Sequence, residues 1–553
     1  MQSLLHFQQK FQNKFIGRKL FCMIFLVVLG FSIYGNTLNN ELFWDDDQFI
    51  LENQYIRDWE SFPKFFSENV IAGAGRSSDY WRPALLTVFS IEWHMWGDSP
   101  FGFHLTNTLF HIAGAVFLFL TIDRIFKRRF LSLFVSAIFL VHPLQTEAVS
   151  YANSLGDSLS VFFIFGSVLL FTIYRQREGF AKRSYIYFLS IASFALALMS
   201  KETAIVTPFL ITLVDIFLEA PKSGIKLKIK NIVLRNLPFY LLGIGYVALR
   251  STALNFVNTF NLYDEANVFT RSIWVRLFTF MRILTVYLSL IFWPFNLHME
   301  RSVSVATSIL EPDILLGGLM SILLIVIGFK SYKKYPALSF GIFWFFIALS
   351  PTSNILVPIN GMLYEHWLYV PLVGIALAVA SVGGSSILLF PKIKKLAPAL
   401  AIIIVFLLCV RTIVRNRDWD NSITFYNQVL SYSPESYRVT NNLGMELAER
   451  GRHNEALPVY YRAIVLDDKN PVAYHNLGNS YKEMGKFDLA ALKYNKALEL
   501  DSNFYYSYGA LANLYLEQKN YIEAEKVLKN YLARDPNNAN VREVLLGIQK
   551  LKK

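Results

Sequence analysis

Three consecutive carboxylates follow the first long apolar segment of the chain. Asp45, Asp46 and Asp47 stand in the aromatic-rich stretch 43–49, and the preceding segment 20–35 carries no charge and is long enough to cross a bilayer as a helix. A carboxylate at the mouth of a membrane span is placed to take a proton from a hydroxyl group at the membrane surface. The alternative is a solvated acidic turn or a helix N-terminus, where carboxylates are also favoured.

The same triplet raises the question of a metal. Asp45 and Asp47 form an Asp-x-Asp pair whose oxygens could hold Mg²⁺ or Mn²⁺. A hard cation usually needs more oxygen ligands than two adjacent carboxylates supply. The sequence therefore does not require a metal cofactor, and it leaves Mg²⁺ or Mn²⁺ as an alternative.

Further ionisable residues occur at positions that we expect to meet on the same, outer face as Asp45. Polar groups are expensive inside a membrane, so each one asks for a functional explanation. The predicted cations are Arg82, Lys201 and His366. The predicted lining residues are His142, Glu147, Asp157, Glu202, Glu365 and Tyr369.

Together these residues fit transfer from a lipid-linked sugar. Cations stabilise the charge that develops on a leaving phosphate, and one carboxylate takes the proton of the incoming hydroxyl. A single displacement would invert the anomeric carbon. Each residue also has a plainer explanation: Arg82 as an interfacial snorkelling residue, His366 as a helix-end residue bonded to backbone, and Lys201 and Glu202 as partners of each other.

Composition identifies a polytopic membrane protein with a soluble tail. The 553 residues are 54% hydrophobic and only 17% charged, against about 25% charged in a typical soluble domain. The net charge of +12 is explained by short basic loops, so we expect no nucleic-acid partner. The two cysteines, Cys22 and Cys409, lie in apolar segments and form neither a disulfide framework nor a zinc site.

Twelve apolar segments are candidate spans. They are residues 20–36, 102–122, 130–145, 157–174, 185–200, 203–219, 237–254, 275–293, 313–330, 336–350, 366–388 and 396–412. Basic loops at 124–129, 175–183, 222–235, 330–334 and 392–395 should face the cytoplasm. Three apolar segments lie between the basic loops at 222–235 and 330–334, but an odd number of spans would place these two loops on opposite sides of the membrane. One of the three segments should therefore be re-entrant or interfacial, and we suspect 275–293, which contains Arg276 and Arg282.

This gives about eleven spans, with the N-terminus cytoplasmic behind an uncleaved anchor and the tail outside. The first outer loop, residues 37–101, is acidic in its first part. Its later part, 84–96, is apolar but interrupted by Glu92 and His94, and we expect an amphipathic helix in the membrane interface there. The membrane domain should occupy residues 1–415.

The tail, residues 416–553, contains a repeat with a period of 34. Leu443-Gly444, Leu477-Gly478 and Leu511-Ala512 align, as do Ala456, Ala490 and Ala524. This is the tetratricopeptide pattern of paired helices. We expect a half-repeat at 420–436, full repeats at 437–470, 471–504 and 505–538, and a cap at 540–551. Such an array makes a groove for an extended peptide, and a purely structural or dimerising array is the alternative.

The chain resembles the GT-C membrane glycosyltransferases, and among them the transmembrane and tetratricopeptide-repeat protein O-mannosyltransferases. The matching stretches include Trp44-Asp45-Asp46, Trp81-Arg82-Pro83, His142-Pro143, Lys201-Glu202-Thr203, Glu365-His366-Trp367 and Arg417-Asp418-Trp419. The resemblance implies a polyprenyl-phosphate sugar donor, typically dolichyl phosphate mannose, and Ser or Thr acceptors on proteins. It places the base on Asp45, with Asp46 as the alternative register, and Glu365-His366 stands where the family pattern leads us to expect Glu-Arg.

The leading hypothesis is therefore an inverting sugar transferase that acts on protein hydroxyls outside the cytoplasm, in the periplasm or in the lumen of the endoplasmic reticulum. The first alternative is the same chemistry on a glycan or lipid acceptor. The second is a non-catalytic membrane scaffold or transporter that displays the repeats. A transporter would keep its ionisable residues near the middle of the bilayer, whereas here they gather at one face.

Overall fold

The computed structural model describes residues 18–177, 180–223, 229–257, 267–359, 361–389 and 391–551. Within these ranges the chain forms helices and turns without any β-strand, which confirms the predicted all-α class. The chain divides into two compact units, residues 1–421 and 422–553. The N-terminal basic flank at 10–17, and much of the basic loops at 175–183, 222–235 and 392–395, lie outside the part whose side chains are described.

The first unit is built from fourteen labelled helices. They are α1 Lys19–Tyr34, α2 Pro83–Trp96, α3 Pro100–Phe126, α4 Arg129–Val141, α5 Thr146–Ser150, α6 Leu155–Gln176, α7 Phe180–Ser200, α8 Thr207–Ser223, α9 Ile229–Ser251, α10 Ile273–Phe292, α11 Pro312–Ser331, α12 Pro336–Leu349, α13 Pro371–Leu389 and α14 Pro391–Asn416. Two four-residue helices, Lys64–Ser67 and Val268–Arg271, carry no label. Prolines start several of these helices because a helix's first turn needs no N–H from them.

Eight helices of the described residues are long and apolar enough to cross a membrane, which supports the prediction of a membrane protein. They lie in α1, α3, α6, α7, α9, α10, α11 and α14. A ninth span is possible if the bent pair of α4 and Pro143–Ser150 crosses as one. Shorter apolar helices occupy Pro336–Thr352 and Pro371–Gly383. The count of about eleven spans and their orientation stay predictions.

The suspected re-entrant segment is an uninterrupted helix. The 20 residues of α10 continue without a break, so the re-entrant alternative for 275–293 is wrong; an interfacial position stays a prediction. Its two arginines are matched locally: Arg276 donates to three backbone carbonyls, and Arg282 pairs with Asp313 at 2.6 Å. The 51° bend falls instead beside His142, where Pro143 forces the preceding residue into an extended conformation.

The core of the first unit lies around α6, the most enclosed of the candidate spans. Its buried face packs with α3, α7 and α8, and a ring of aromatic side chains that includes Phe165 and Trp344 fills the centre. Helices α12 and α13 approach most closely at Gly341 and Gly374, where a Cβ on either glycine would collide with the backbone of the other helix. Small residues permit such close helix contacts in membrane proteins.

The first outer loop is folded rather than extended. Helix α2 covers the segment predicted as an amphipathic helix and starts one residue earlier, at Pro83. Phe49, Ile50, Phe65 and Phe89 belong to one apolar cluster of this loop. Exposed Trp59 stacks against His94 at 4.9 Å between ring centroids. The loop therefore carries its own small core, which fixes the residues that lead into α2.

The second unit is a stack of helix pairs. Its helices are α15 Ser422–Tyr432, α16 Tyr437–Glu449, α17 His453–Leu466, α18 Pro471–Glu483, α19 Phe487–Leu500, α20 Tyr505–Glu517, α21 Tyr521–Leu532 and α22 Ala539–Leu551. Gly444 and Gly478 are needed because the rings of Tyr460 and Tyr494 lie where a Cβ would stand. Residues 416–421, which we assigned to the tail, belong to the first unit.

Candidate functional site

A two-point ion pair joins the first outer loop to the turn between α7 and α8. Arg82, directly before the proline that starts α2, donates from Nε and Nη2 to the two carboxylate oxygens of Glu202 at 3.0 and 2.9 Å. The Arg82 guanidinium lies 4.4 Å from the centre of the Tyr80 ring. Burial acts to raise the pKa of Glu202, but the charge of Arg82, its hydrogen bonds to the carboxylate and the charge of Lys201 together hold that pKa below its usual range. Both groups are therefore charged.

A second pair forms beside the first. Lys201, the residue before Glu202, donates from Nζ to Asp157 Oδ2 at 2.6 Å, and Asp157 lies in the first turn of α6. The alternative in which Lys201 and Glu202 pair with each other is wrong. Lys201 has extended backbone angles, so the side chains of these neighbours point in opposite directions and reach different partners.

A third pair involves His366. Its Nδ1 lies 2.7 Å from Glu147 Oε1, and its backbone N–H donates to Glu147 Oε2 at 3.0 Å. Glu147 is buried in the short helix α5, which follows the bend at His142. The plainer explanation of His366 as a side chain bonded only to backbone is therefore wrong. The ring also stacks on Tyr364 at 5.4 Å between centroids.

A pocket lies between α6, α12, α13 and the two turns, with a cavity volume of about 30 Å³. Its lining includes the predicted residues Asp157, His366 and Tyr369, together with Ser160, Thr203, Thr352 and Trp367. The Tyr369 hydroxyl is 2.5 Å from His111 Nδ1, which fixes that side of the lining. One member of the second pair, Asp157, and one member of the third, His366, thus line the same pocket.

The carboxylate triplet packs on the segment that leads into α6. Trp44 has a φ of +62°, an uncommon conformation for a residue with a Cβ, and it turns the chain sharply just before Asp45. The Asp45 backbone N–H donates to the Tyr151 hydroxyl at 3.0 Å. Tyr151 lies six positions before Asp157, so the triplet and the pocket share one supporting segment. Such conformations are often found at functional sites.

The three carboxylates are not equivalent. Asp46 is fully buried, and its oxygens accept from the backbone N–H groups of Phe43 at 3.0 Å and Asn153 at 2.7 Å. Burial raises the pKa of Asp46 well above its usual range, and these two hydrogen bonds offset part of that effect. Asp47 is exposed, and Asp45 is partly exposed. The geometry therefore gives Asp46 a structural position and favours Asp45 over Asp46 as the base.

The predicted metal pair is Asp45 and Asp47. In the described part of the chain no group of three or more His, Cys, Asp or Glu side chains is placed to hold a metal ion. Asp46, between the two predicted ligands, directs its carboxylate to backbone amides. Mg²⁺ or Mn²⁺ at Asp45 and Asp47 stays a prediction.

Two predicted lining residues lie behind the site. Both ring nitrogens of His142 meet backbone groups: Nδ1 accepts from Leu144 N at 3.2 Å and Nε2 lies 3.0 Å from Ile291 O. Glu365 is 1% exposed and accepts from Arg301 at 2.9 Å and from His298 N at 2.6 Å. Burial raises the pKa of Glu365, while Arg415 and Arg301 act in the opposite direction. Neither residue is among those that line the pocket, and their place in the active site stays a prediction.

The structure adds residues that the sequence analysis missed. Tyr80 lies against the Arg82 guanidinium, and Tyr151 supports Asp45. Arg250 donates to the backbone carbonyl of Asp79, which is one residue before Tyr80 and three before Arg82. Arg250 ends an apolar segment and was counted within a span. Nothing in the local pattern distinguishes it, because its importance comes from a partner 171 residues away.

Comparison with known proteins finds similar sequences for both halves of the chain. Residues 444–485 match a family model described as TPR repeat, and residues 471–504 and 493–526 match models described as tetratricopeptide repeat. A protein O-mannosyl-transferase of Caenorhabditis elegans is 27% identical over 456 residues, covering 80% of this chain and 62% of that protein. Protein O-mannosyl-transferase TMTC3 of Mus musculus is 24% identical, covering 78% and 50%.

The chain resembles the protein O-mannosyl-transferases. It spans about half to three fifths of the length of these curated O-mannosyl-transferase relatives. Among solved structures it is similar to ArnT from Cupriavidus metallidurans bound to undecaprenyl phosphate, with a TM-score of 0.39 and 11% identity over 85% of this chain and 79% of that one. At that TM-score the similarity supports no statement about function.

Proposed function

We propose that the chain transfers a mannose-like sugar from a polyprenyl-phosphate donor to Ser or Thr hydroxyls of proteins at the outer face of the membrane. The observation that carries this proposal is that Arg82, Lys201 and His366 are each held by a separate carboxylate. His366 and Asp157, the partner of Lys201, line one pocket. The O-mannosyl-transferase names of the relatives support the same class of reaction.

Arg82 and Lys201 keep donor capacity for a phosphate. Arg82 uses Nε and Nη2 on Glu202, which leaves Nη1. Lys201 Nζ carries three protons and uses one on Asp157. His366 directs Nδ1 to Glu147, and its Nε2 donates to a phosphate only when the ring is protonated. The carboxylates hold these side chains in fixed orientations before any ligand arrives. Donors preoriented in this way stabilise charge that develops during the reaction.

Asp45 would act as the base. Its carboxylate takes the proton of the acceptor hydroxyl while the hydroxyl oxygen attacks the anomeric carbon. The bond from that carbon to the phosphate oxygen breaks, and the electron pair leaves with the polyprenyl phosphate. Because one nucleophile attacks from the face opposite the leaving group, the configuration inverts. Proton transfer by a positioned carboxylate typically contributes about 10²–10⁴-fold to the rate.

The tetratricopeptide repeats are proposed to bind the protein acceptor. Stacked helix pairs form an extended surface suited to a peptide. We propose that this unit and the first loop lie on the extracytoplasmic side, because the donor phosphate and the acceptor must meet there. The same donor chemistry on a glycan or lipid is the alternative that the experiment below addresses.

The test uses the purified full chain in lipid nanodiscs with dolichyl phosphate mannose, and separately with undecaprenyl phosphate mannose. Acceptors are a Ser/Thr-rich peptide, a secreted protein and a lipid-linked glycan, and products are identified by intact-mass and peptide mass spectrometry. A hexose gained by Ser or Thr supports the proposal. Transfer only to the glycan would overturn the protein acceptor, and no transfer from either donor would overturn the enzyme.

A further inference from the structure

The six residues 415–420 join the end of α14 to the repeat unit, and they are unusually enclosed for a connecting segment. Trp419 is fully buried in the short helix Arg417–Trp419, and Arg415 is also fully buried. The repeat unit starts at Ser422, two residues after the end of this segment. A connection that served only as a linker would leave such side chains in water.

Trp419 reaches the proposed base through one intermediate side chain. Its indole stacks on the Tyr151 ring, with centroids 5.5 Å apart and an angle of 26° between planes. The Tyr151 hydroxyl is the group that accepts the Asp45 backbone N–H at 3.0 Å. The Tyr151 ring also lies 5.8 Å from the Phe43 ring. The indole therefore covers the residue that fixes the backbone of Asp45.

Hydrogen bonds join the same segment to the residues that precede Asp45 and Tyr151. Asp420 O accepts from Glu41 N at 2.9 Å. The Asn416 side chain donates to Ile33 O at 2.9 Å, and its Oδ1 accepts from Ser150 at 3.0 Å. Segment 415–420 is thus bonded to Ser150, the residue before Tyr151, and to Glu41, four residues before Asp45.

The segment also contacts the turn that carries His366. Arg415 donates to Asp418 at 2.8 Å and faces Glu365 at 3.7 Å. Glu365 precedes His366, whose ring borders the pocket. Segment 415–420 therefore contacts the residue next to Tyr151 and the residue next to His366.

We infer that Trp419 and Tyr151 are positioning residues, and that Trp419, acting through Tyr151, fixes the backbone that carries Asp45. The inference rests on the proposed function for its kinetic consequence. Removing the indole would leave space beside Tyr151, and the Asp45 amide would lose a fixed acceptor. A base displaced by about 1 Å can lose about 100-fold in rate without any change in donor binding.

The experiment compares the full chain with Trp419→Ala, Trp419→Phe and Tyr151→Phe, the last of which removes only a hydroxyl. Arg417→Ala is the control, because Arg417 is an exposed residue of the same segment. Hydrogen–deuterium exchange is measured over residues 41–52, with α6 and the repeats as internal references. Rates are measured with dolichyl phosphate mannose and a Ser/Thr peptide.

Trp419→Ala and Tyr151→Phe should speed exchange in 41–52 while α6 is unaffected, and should lower kcat by about 10–100-fold with the donor KM unchanged. Trp419→Phe should restore most of the slow exchange and most of kcat. In the double variant Trp419→Ala/Tyr151→Phe, the effects of the two single substitutions should not add. Unchanged exchange in 41–52 overturns the inference, as does faster exchange with normal kcat. If the wild type transfers no sugar, the proposed function fails, while the exchange data still decide whether Trp419 holds this loop.

Discussion

Arg82 and Glu202, 120 residues apart in the chain, meet in a two-point ion pair beside the pocket. The pair explains why a cation can stand in a buried site before any phosphate arrives. It also makes the cation's role separable from its contribution to stability, since either charge can be removed alone or with its partner.

Arg82→Ala should lower kcat/KM for the donor by about 10²–10³-fold, because one donor to the developing phosphate charge is lost. It should also lower the melting temperature, because Glu202, whose side chain is 30% exposed, loses its charge partner. Arg82→Ala/Glu202→Gln should recover stability but not transfer. The measurements are steady-state kinetics and thermal unfolding, with exposed Arg76→Ala as control. Recovered transfer in the double variant would remove Arg82 from the donor site.

Asp45→Asn should reduce transfer by about 10²–10⁴-fold and leave the melting temperature nearly unchanged, because an amide cannot take the acceptor proton. Asp46→Asn should instead lower the melting temperature, because its carboxylate holds two backbone amides. Glu60→Gln, an exposed carboxylate of the same loop, is the control. Normal transfer by Asp45→Asn would place the base elsewhere.

Glu92→Gln should stabilise the protein at neutral pH. Burial raises the pKa of Glu92 well above its ordinary value of 4.5, and Thr106 offsets only part of the effect. As pH rises, Glu92 therefore loses its proton in the unfolded state before it does so in the folded state. Folding stability should fall as pH rises above about 4.5, by up to about 1.4 kcal/mol per pH unit, until the pH reaches the pKa of Glu92 in the folded state. Unfolding of both proteins from pH 4 to 8 checks this. The two curves should separate with rising pH; parallel curves would contradict the assignment.

The place of a truncation should decide which activity survives. A chain that ends at Asn421 keeps Trp419 and Asp420, so it should still transfer sugar to a short Ser/Thr peptide and lose transfer to folded proteins. A chain that ends at Asn416 should lose both, because the support of Tyr151 is gone. Rates with the two acceptors, normalised to folded protein, provide the measurement. Equal loss of both acceptors in the first truncation would make the repeats a folding element.

Prolonged dialysis against EDTA should leave transfer intact. Asp45 and Asp47 find no third ligand in the described residues, and Arg82 and Lys201 already supply positive charge at the site. Rates before and after chelation, and after added Mg²⁺ or Mn²⁺, test the point. Loss of activity that either ion restores would return the metal to the mechanism.

The sequence by itself determined the class of protein, the helices and the repeats. Long apolar segments, the 34-residue period and prolines at helix starts are local patterns, and local patterns are enough to define helices. It also named Arg82, Lys201, Glu202, Asp157 and His366 as a set. The reason is that charge in an apolar chain is rare enough to notice.

Only the tertiary structure decided the partners. Lys201 and Glu202 are neighbours in sequence but bind Asp157 and Arg82, because an extended backbone sends adjacent side chains to opposite sides. Asp46 looked equivalent to Asp45 until burial and two amides separated them. Trp419 lies 268 positions from Tyr151, and no local pattern records a contact that helix packing creates at such a separation.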